Sequence, residues 1–147
     1  NVIPNFIYWA LNNRNIPITG KGNETRDFTY VLDLVQGLIK SAYFDKAVGQ
    51  NFNLASGKEK EISSLANKII QLTNSQSNIM NVTKRKWDTK PRLLADINKA
   101  KELIQYSPIQ NFDDGLITTI DWFRKNKDFI NELAHFNKGI NTAINSN

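Results

Sequence analysis

Apolar side chains recur along the chain at intervals that switch between helical and strand spacing. Ile3, Phe6, Ile7, Ala10 and Leu11 fall three or four residues apart, with Pro4 suited to a first helical turn, so the chain opens on an amphipathic helix that "NNRN" ends. "IPIT" then reads as a short strand, "GKGNET" as a turn and "RDFTYV" as a strand. "VLDLVQGLIKSAY" has the period of a helix with Leu34, Leu38, Ile39 and Ala42 turned inward, and "QNFNLAS" alternates like a strand closed by Ser56 and Gly57. "EISSLANKIIQLT" predicts a helix with Ile62, Leu65, Ala66, Ile69 and Ile70 on one face, followed by a strand in "SNIMNV".

"TKRKWDTKPR" is a charged loop broken by Pro91. Asp96 is placed to cap a helix in "INKAKELIQY" that Pro108 stops. Asn111 with Asp114 resembles a capping box ahead of a helix in "FDDGLITTIDWFRKN". Strands alternating with helices predict an α/β (α+β) fold. The tail stands apart: Phe129, Leu133, Phe136, Ile140 and Ala143 repeat at 4-3-4-3 spacing, interrupted by Gly139. Such a seam either folds back on its own domain or meets another subunit.

Composition narrows this picture a little. The chain has 147 residues, 40% hydrophobic and 22% charged, which suits one globular domain. It contains no cysteine, which removes disulfides and thiolate chemistry. No apolar run is long enough to span a bilayer and no leader pattern is visible, so a cytoplasmic protein without a membrane partner is expected. The net charge of +5 favours anionic partners, or equally a basic surface kept for solubility. The chain starts at Asn1 in mid-pattern, which predicts a fragment lacking a preceding half.

Candidate chemistry is sparse. The single histidine, His135, lies in the tail and reads as a surface residue. No His-x-x-x-His or acidic metal-loop spacing occurs, so neither a metal site nor catalytic residues are assigned. Asp113 and Asp114 suit a helix start better than acid–base work. Gly20-Lys21-Gly22 lacks phosphate-loop spacing, and Thr25 stands where a dinucleotide fingerprint needs its third glycine. These glycines predict a tight turn. Two arginine-bearing loops remain, one with Arg26 and the other with Lys84, Arg85, Lys86, Lys90 and Arg92 around Trp87 and Asp88. Arginine's planar fork suits phosphate, whereas a solvated basic stretch is the plainer reading of the second loop.

On these segments the chain resembles the C-terminal half of the NAD-dependent epimerase/dehydratase family, the extended short-chain dehydrogenases that act on nucleotide sugars. The resemblance covers about residues 1 to 126 and rests on "NVIPNFIYWAL", "PITGKGNETRDFTYVLDLVQGL", "FNLASGKEKEISSLANKI", "KRKWDTKPRLLADINKAKELIQYSP" and "NFDDGLITTIDWFRKN", with "TRDFTYV-x-D" its most specific part. It implies a substrate-binding lobe over residues 1–126 and a tail helix over 127–147. NAD and the catalytic Tyr-x-x-x-Lys would belong to a Rossmann lobe absent here. Tyr8, Tyr30, Tyr43 and Tyr106 are followed four residues on by Asn12, Leu34, Ala47 and Gln110, never lysine.

The resemblance also implies site roles. Asn1 and Val2 match the pair that contacts diphosphate and base, and Pro17 and Thr19 the strand that pairs with the nucleobase through its backbone. Arg26 matches the phosphate-binding arginine and Phe28 the aromatic after it. Ile62 matches an apolar contact to the nucleotide. Arg85 and Asp88 match the ends of the family's Arg-Pro-Gly-Asp, for phosphate and ribose, although Lys86-Trp87 replaces the Pro-Gly turn. Glu61 stands where a Ser/Thr helix cap is usual. The implied partner is a UDP-, dTDP- or GDP-linked sugar, with the missing lobe, and the tail admits a homodimer. The implied activity, epimerase (isomerase), dehydratase or decarboxylase (lyase), needs that other lobe. Two alternatives stay open: a basic module binding nucleic acid or another anion through the 84–92 loop, which the resemblance disfavours, and a helical interaction module.

Overall fold

Along the chain, the elements are α1 (Val2–Leu11), β1 (Ile16–Thr19), β2 (Thr25–Asp27), α2 (Val31–Tyr43), a 3-10 turn (Asp45–Ala47), β3 (Glu59–Glu61), α3 (Ile62–Thr73), β4 (Ile79–Val82), β5 (Arg92–Leu93), α4 (Asn98–Ile104), α5 (Phe112–Lys125) and α6 (Lys127–Leu133). This computed structural model describes residues 1–84, 86 and 88–133. The architecture is mixed α/β with small sheets, divided into two units.

The first unit comprises residues 1–24 and 61–89 and the chain from Leu116 onward. Its two strands, β1 and β4, run parallel in the register Ile16↔Ile79 to Thr19↔Val82. Alternation along β1 buries Ile16 and Ile18 on one sheet face, where α1 and α3 pack. Ile7, Ile16, Ile69 and Ile120 are the largest fully enclosed side chains of this core. The periodic positions fill it largely as their spacing predicts, with Trp9 added from α1.

Both helices over this sheet stop by local chemistry. Asn13, in the run "NNRN", takes a left-handed conformation (φ 51°), and Arg14 N–H returns to Trp9 C=O at 2.9 Å. Asn74 does the same after α3 (φ 52°), with Ser75 N–H on Ile70 C=O. Arg124 of α5 adds a cation there, donating to Leu72 C=O at 3.0 Å.

The second unit comprises residues 25–60 and 90–115. Its strands lie in the order β3-β2-β5, with β2 and β5 parallel. Ala55, Ile97, Ala100, Ile104 and Tyr106 form its core, with Phe52 and Leu54 packed against them. The Tyr106 hydroxyl donates to Ala55 C=O at 3.0 Å. Burial, helped by the charges of Asp33 and Asp27, pushes its pKa up. Asn111 Oδ1 accepts from Asp113 N–H at 2.9 Å, so the predicted cap of α5 forms, and Asp96 accepts from Asn98 N–H at the start of α4.

Three expectations need correction. "RDFTYV" pairs as a strand only over Thr25–Asp27, and Phe28 to Tyr30 lead into α2. "QNFNLAS" is not a strand: Phe52 and Leu54 alternate because they pack on the core, and the ladder goes instead to Glu59–Glu61. Most informative is α2, whose boundaries match the pattern but whose face is inverted. Asp33 and Gly37 are its buried residues, whereas Leu38 is 56% and Ile39 65% exposed, with Val31, Leu32, Leu34 and Val35 also open. Gly37 is inward because a Cβ there would meet Leu54 at 2.7 Å and Tyr106 at 3.0 Å. Asp33 is inward because its carboxylate accepts the N–H groups of Ile109 and Gln110. In the tail, Phe129 and Leu133 are exposed, while His135, Phe136, Ile140 and Ala143 lie outside the described residues.

Candidate functional site

The glycine turn acts first as a helix cap. Gly20 and Gly22 both have positive φ, 78° and 80°, as a tight turn requires. The turn thereby aims two carbonyls at the start of α3: Gly22 C=O accepts from Ser63 N–H at 2.9 Å and Glu24 C=O from Ile62 N–H at 3.0 Å. This supplies what Glu61 does not, since the Glu61 side chain makes no cap and instead takes the Ser63 hydroxyl. A pyrophosphate cradle needs N–H groups directed outward from a turn that opens a helix. Here carbonyls fill the α3 terminus and the turn opens a strand, so these residues do not fit a dinucleotide such as NAD.

The far side of the turn is tied to β4. Gly20 N–H donates to Val82 C=O at 2.9 Å, and Asn81 Nδ2 donates to Gly20 C=O at 2.9 Å. Beneath them Glu24, only 7% exposed, pairs with Lys84 Nζ at 3.2 Å. Burial works to raise the Glu24 pKa. The hydrogen bonds of its own backbone and of Lys84, the Lys84 charge and the Gly22 backbone outweigh it, holding the carboxyl below its ordinary value. A depressed folded pKa means that Glu24 stabilises the fold above the ordinary carboxylate range, and that this contribution is lost as pH falls through the folded pKa. Chemical denaturation between about pH 5 and pH 3 should therefore show a flatter fall in stability for Glu24→Gln than for the parent chain.

β1 presents a selective edge. Ile16 and Gly20 donate their N–H groups to β4, and main-chain groups alternate sides along a parallel strand. Pro17 and Thr19 therefore direct theirs to the other side, where no strand pairs among the described residues. Pro17 has no N–H, so that edge offers the Pro17 and Thr19 carbonyls and a single donor, the Thr19 N–H.

Arg26 stands half-buried on β2, its guanidinium donating to Thr25 C=O at 2.7 Å and Pro91 C=O at 3.5 Å. Asp27 beside it is a hub missed in the sequence: its carboxylate accepts from Ser56 N–H and hydroxyl, Gly57 N–H and Ala95 N–H. Phe28 packs on Phe112, ring centres 6.3 Å apart, and Lys60 lies over the Phe112 ring at 5.0 Å.

Asn1 is exposed, Val2 begins α1, Ile62 is buried at the head of α3, and Asp88 is half-buried. The first unit holds Asn1, Val2, Pro17, Thr19, Ile62 and Asp88, with Thr19 and Ile62 joined through the glycine turn. Arg26 and Phe28 belong to the second unit. Arg85 and Trp87 lie outside the described residues. In the basic loop, two cations are already engaged: Lys84 by Glu24, and Arg92 by Glu59 at 2.7 Å. The Arg92 hydrogen bond holds Glu59 below its usual range.

Asp27 and Asp33 stand within "TRDFTYV-x-D", but neither their roles nor that of Glu24 could be read there, because their partners are distant in the chain. Among the described residues no cluster of side chains could hold a metal ion, and no helix is long and apolar enough to cross a membrane.

Residues 1–119 match the family model described as GDP-mannose 4,6 dehydratase. A UDP-N-acetyl-alpha-D-glucosaminuronate decarboxylase of Bacillus cytotoxicus is 39% identical over 129 residues, 84% of this chain and 40% of that protein. The epimerase Mth375 of Methanothermobacter thermautotrophicus superposes with a TM-score of 0.88 at 43% identity, over 90% of this chain and 39% of its own. WbmF of Bordetella bronchiseptica, solved in complex with NAD+ and UDP, gives a TM-score of 0.76 at 36% identity, over 90% of this chain and 39% of its own. The chain thus spans about 40% of the length of such relatives.

Proposed function

The chain belongs to the GDP-mannose 4,6-dehydratase family of nucleotide-sugar epimerases and dehydratases, and we propose that it is the C-terminal, substrate-binding part of such an NAD-dependent enzyme. The observation that carries this reading is the edge of β1, where Pro17 C=O and Thr19 N–H match the donor–acceptor face of a pyrimidine or purine base. By the family pattern, the second unit would contribute Arg26 for the diphosphate with Phe28 near it in sequence, and the first would contribute Asn1, Val2 and Ile62 for the nucleotide and Asp88 for the ribose, Arg85 being the pattern's second phosphate arginine. Nicotinamide chemistry belongs to a separate Rossmann lobe. The outward apolar face of α2 supports a further lobe, because a row of open Val, Leu and Ile positions is costly in water. The 1–126 lobe and 127–147 tail are one division consistent with this reading, and the intact enzyme would work in the cytoplasm.

Titrating the chain with UDP, dTDP and GDP, beside a short DNA at two salt concentrations, tests the proposal. One nucleoside diphosphate should bind with modest salt dependence, and Arg26→Ala should weaken it about tenfold or more. Steeply salt-dependent DNA binding without nucleotide preference would replace this reading with a basic-module one. Turnover of a nucleotide sugar with NAD by this chain alone would also overturn it. Two of the loop's cations being neutralised by Glu24 and Glu59 already weighs against DNA.

A further inference from the structure

Glu24 is a buried carboxylate to which the proposed chemistry gives no task. It lies under the turn that follows Thr19, and its Oε1 sits 3.0 Å from where a Gly20 side chain would begin. Its partner Lys84 reaches back from beyond β4, and the stem of that lysine passes 3.6 Å from the same point. The Gly20–Val82 and Asn81–Gly20 hydrogen bonds close the turn from above. Two hydrogen bonds to Gly20 and the Glu24–Lys84 pair thus hold the turn that directly follows Thr19, and the pair is the one charged link among them, with its carboxylate buried and its ammonium partly exposed.

We propose that the Glu24–Lys84 pair positions Thr19 for the nucleobase, acting on base recognition without touching the nucleotide. The proposal rests on the nucleotide-binding reading and deepens it. Arranged in this way, Lys84 is a brace for the base-binding edge rather than a phosphate ligand. Loss of the pair lets the Gly20 turn shift relative to β4, and with it the Thr19 N–H. The phosphate-binding arginine, Arg26, is placed by other bonds, to Thr25 and Pro91 carbonyls. Base affinity and phosphate affinity should therefore respond separately.

Amide spectra of the full 15N-labelled chain, titrated with UDP and separately with inorganic pyrophosphate, decide the matter. Glu24→Gln keeps the size and hydrogen bonding of the side chain, and Lys84→Met removes the cation at a partly exposed position. Each is expected to weaken UDP about fivefold to tenfold and leave pyrophosphate no weaker, with the double variant no worse than either single one. Lys84→Arg should restore UDP binding. Unchanged UDP affinity in folded variants overturns the proposal and leaves the function standing. Equal losses of UDP and pyrophosphate also overturn it, since they mark a general structural role. Absence of any shift with UDP, dTDP or GDP in the parent chain overturns the nucleotide-binding reading, and the proposal with it.

Discussion

Replacing Asp27 with alanine is expected to remove about 3–5 kcal/mol of stability, a large share of what a domain of this size holds. The carboxylate accepts from Ser56 through both N–H and hydroxyl, from Gly57 N–H at 3.0 Å and from Ala95 N–H at 3.4 Å. Alanine would leave three backbone donors without their acceptor, each costing about 1–3 kcal/mol where water does not reach it. The same oxygens join β2 to the segments around Ser56 and Ala95, so the loss spreads beyond one side chain. Urea denaturation should show a lower midpoint with little change in slope, and Asp27→Asn should lie between the two. A loss under about 1 kcal/mol would show that other contacts hold these segments.

Gly22→Ala is expected to cost about 2–4 kcal/mol, the second-largest effect. A left-handed backbone at φ 80° costs an alanine about 1–2 kcal/mol. The added methyl would also stand 3.1 Å from Ser63 Cβ and 3.2 Å from Ile18 Cγ2, one the first turn of α3 and the other a core residue of β1. Gly49 separates these terms: it has φ 70° but nothing within 4 Å of a Cβ. Gly49→Ala should therefore pay the backbone cost alone, about 1–2 kcal/mol. Thermal melts of the two variants isolate the packing contribution as their difference, and equal losses would mean the turn yields freely.

The elements that could be read from the chain were those whose causes lie within one or two turns. α1 and α3 start and stop where apolar periodicity and the asparagines at 13 and 74 place them. α2 shows where such reasoning ends. Its apolar positions define a face, but nothing local says whether that face meets this unit or something else. Asp33 and Gly37 decide the orientation through partners more than fifteen residues away, at Leu54, Tyr106, Ile109 and Gln110. "QNFNLAS" misled for a related reason, since alternation describes two faces but a strand also needs a neighbour. The motif singled out Arg26 as a candidate for phosphate, whereas the carbonyls that hold its guanidinium could not be read from the chain. Glu24 looked like a turn residue because its burial and its lysine depend on a chain segment some sixty residues later.

The capping of α3 by the Gly22–Glu24 turn also bears on how the chain folds. A helix capped by its own neighbouring serine can complete its first turn within a fraction of a microsecond. Here the two acceptors lie about forty residues upstream, so the first turn of α3 is finished only when that loop closes. The body of α3 can flicker into helix early, while its leading end waits for β1 to arrive. Native-state hydrogen exchange should register this: the amides of Ile62 and Ser63 should open together with Gly20, in step with the turn rather than with the middle of their own helix.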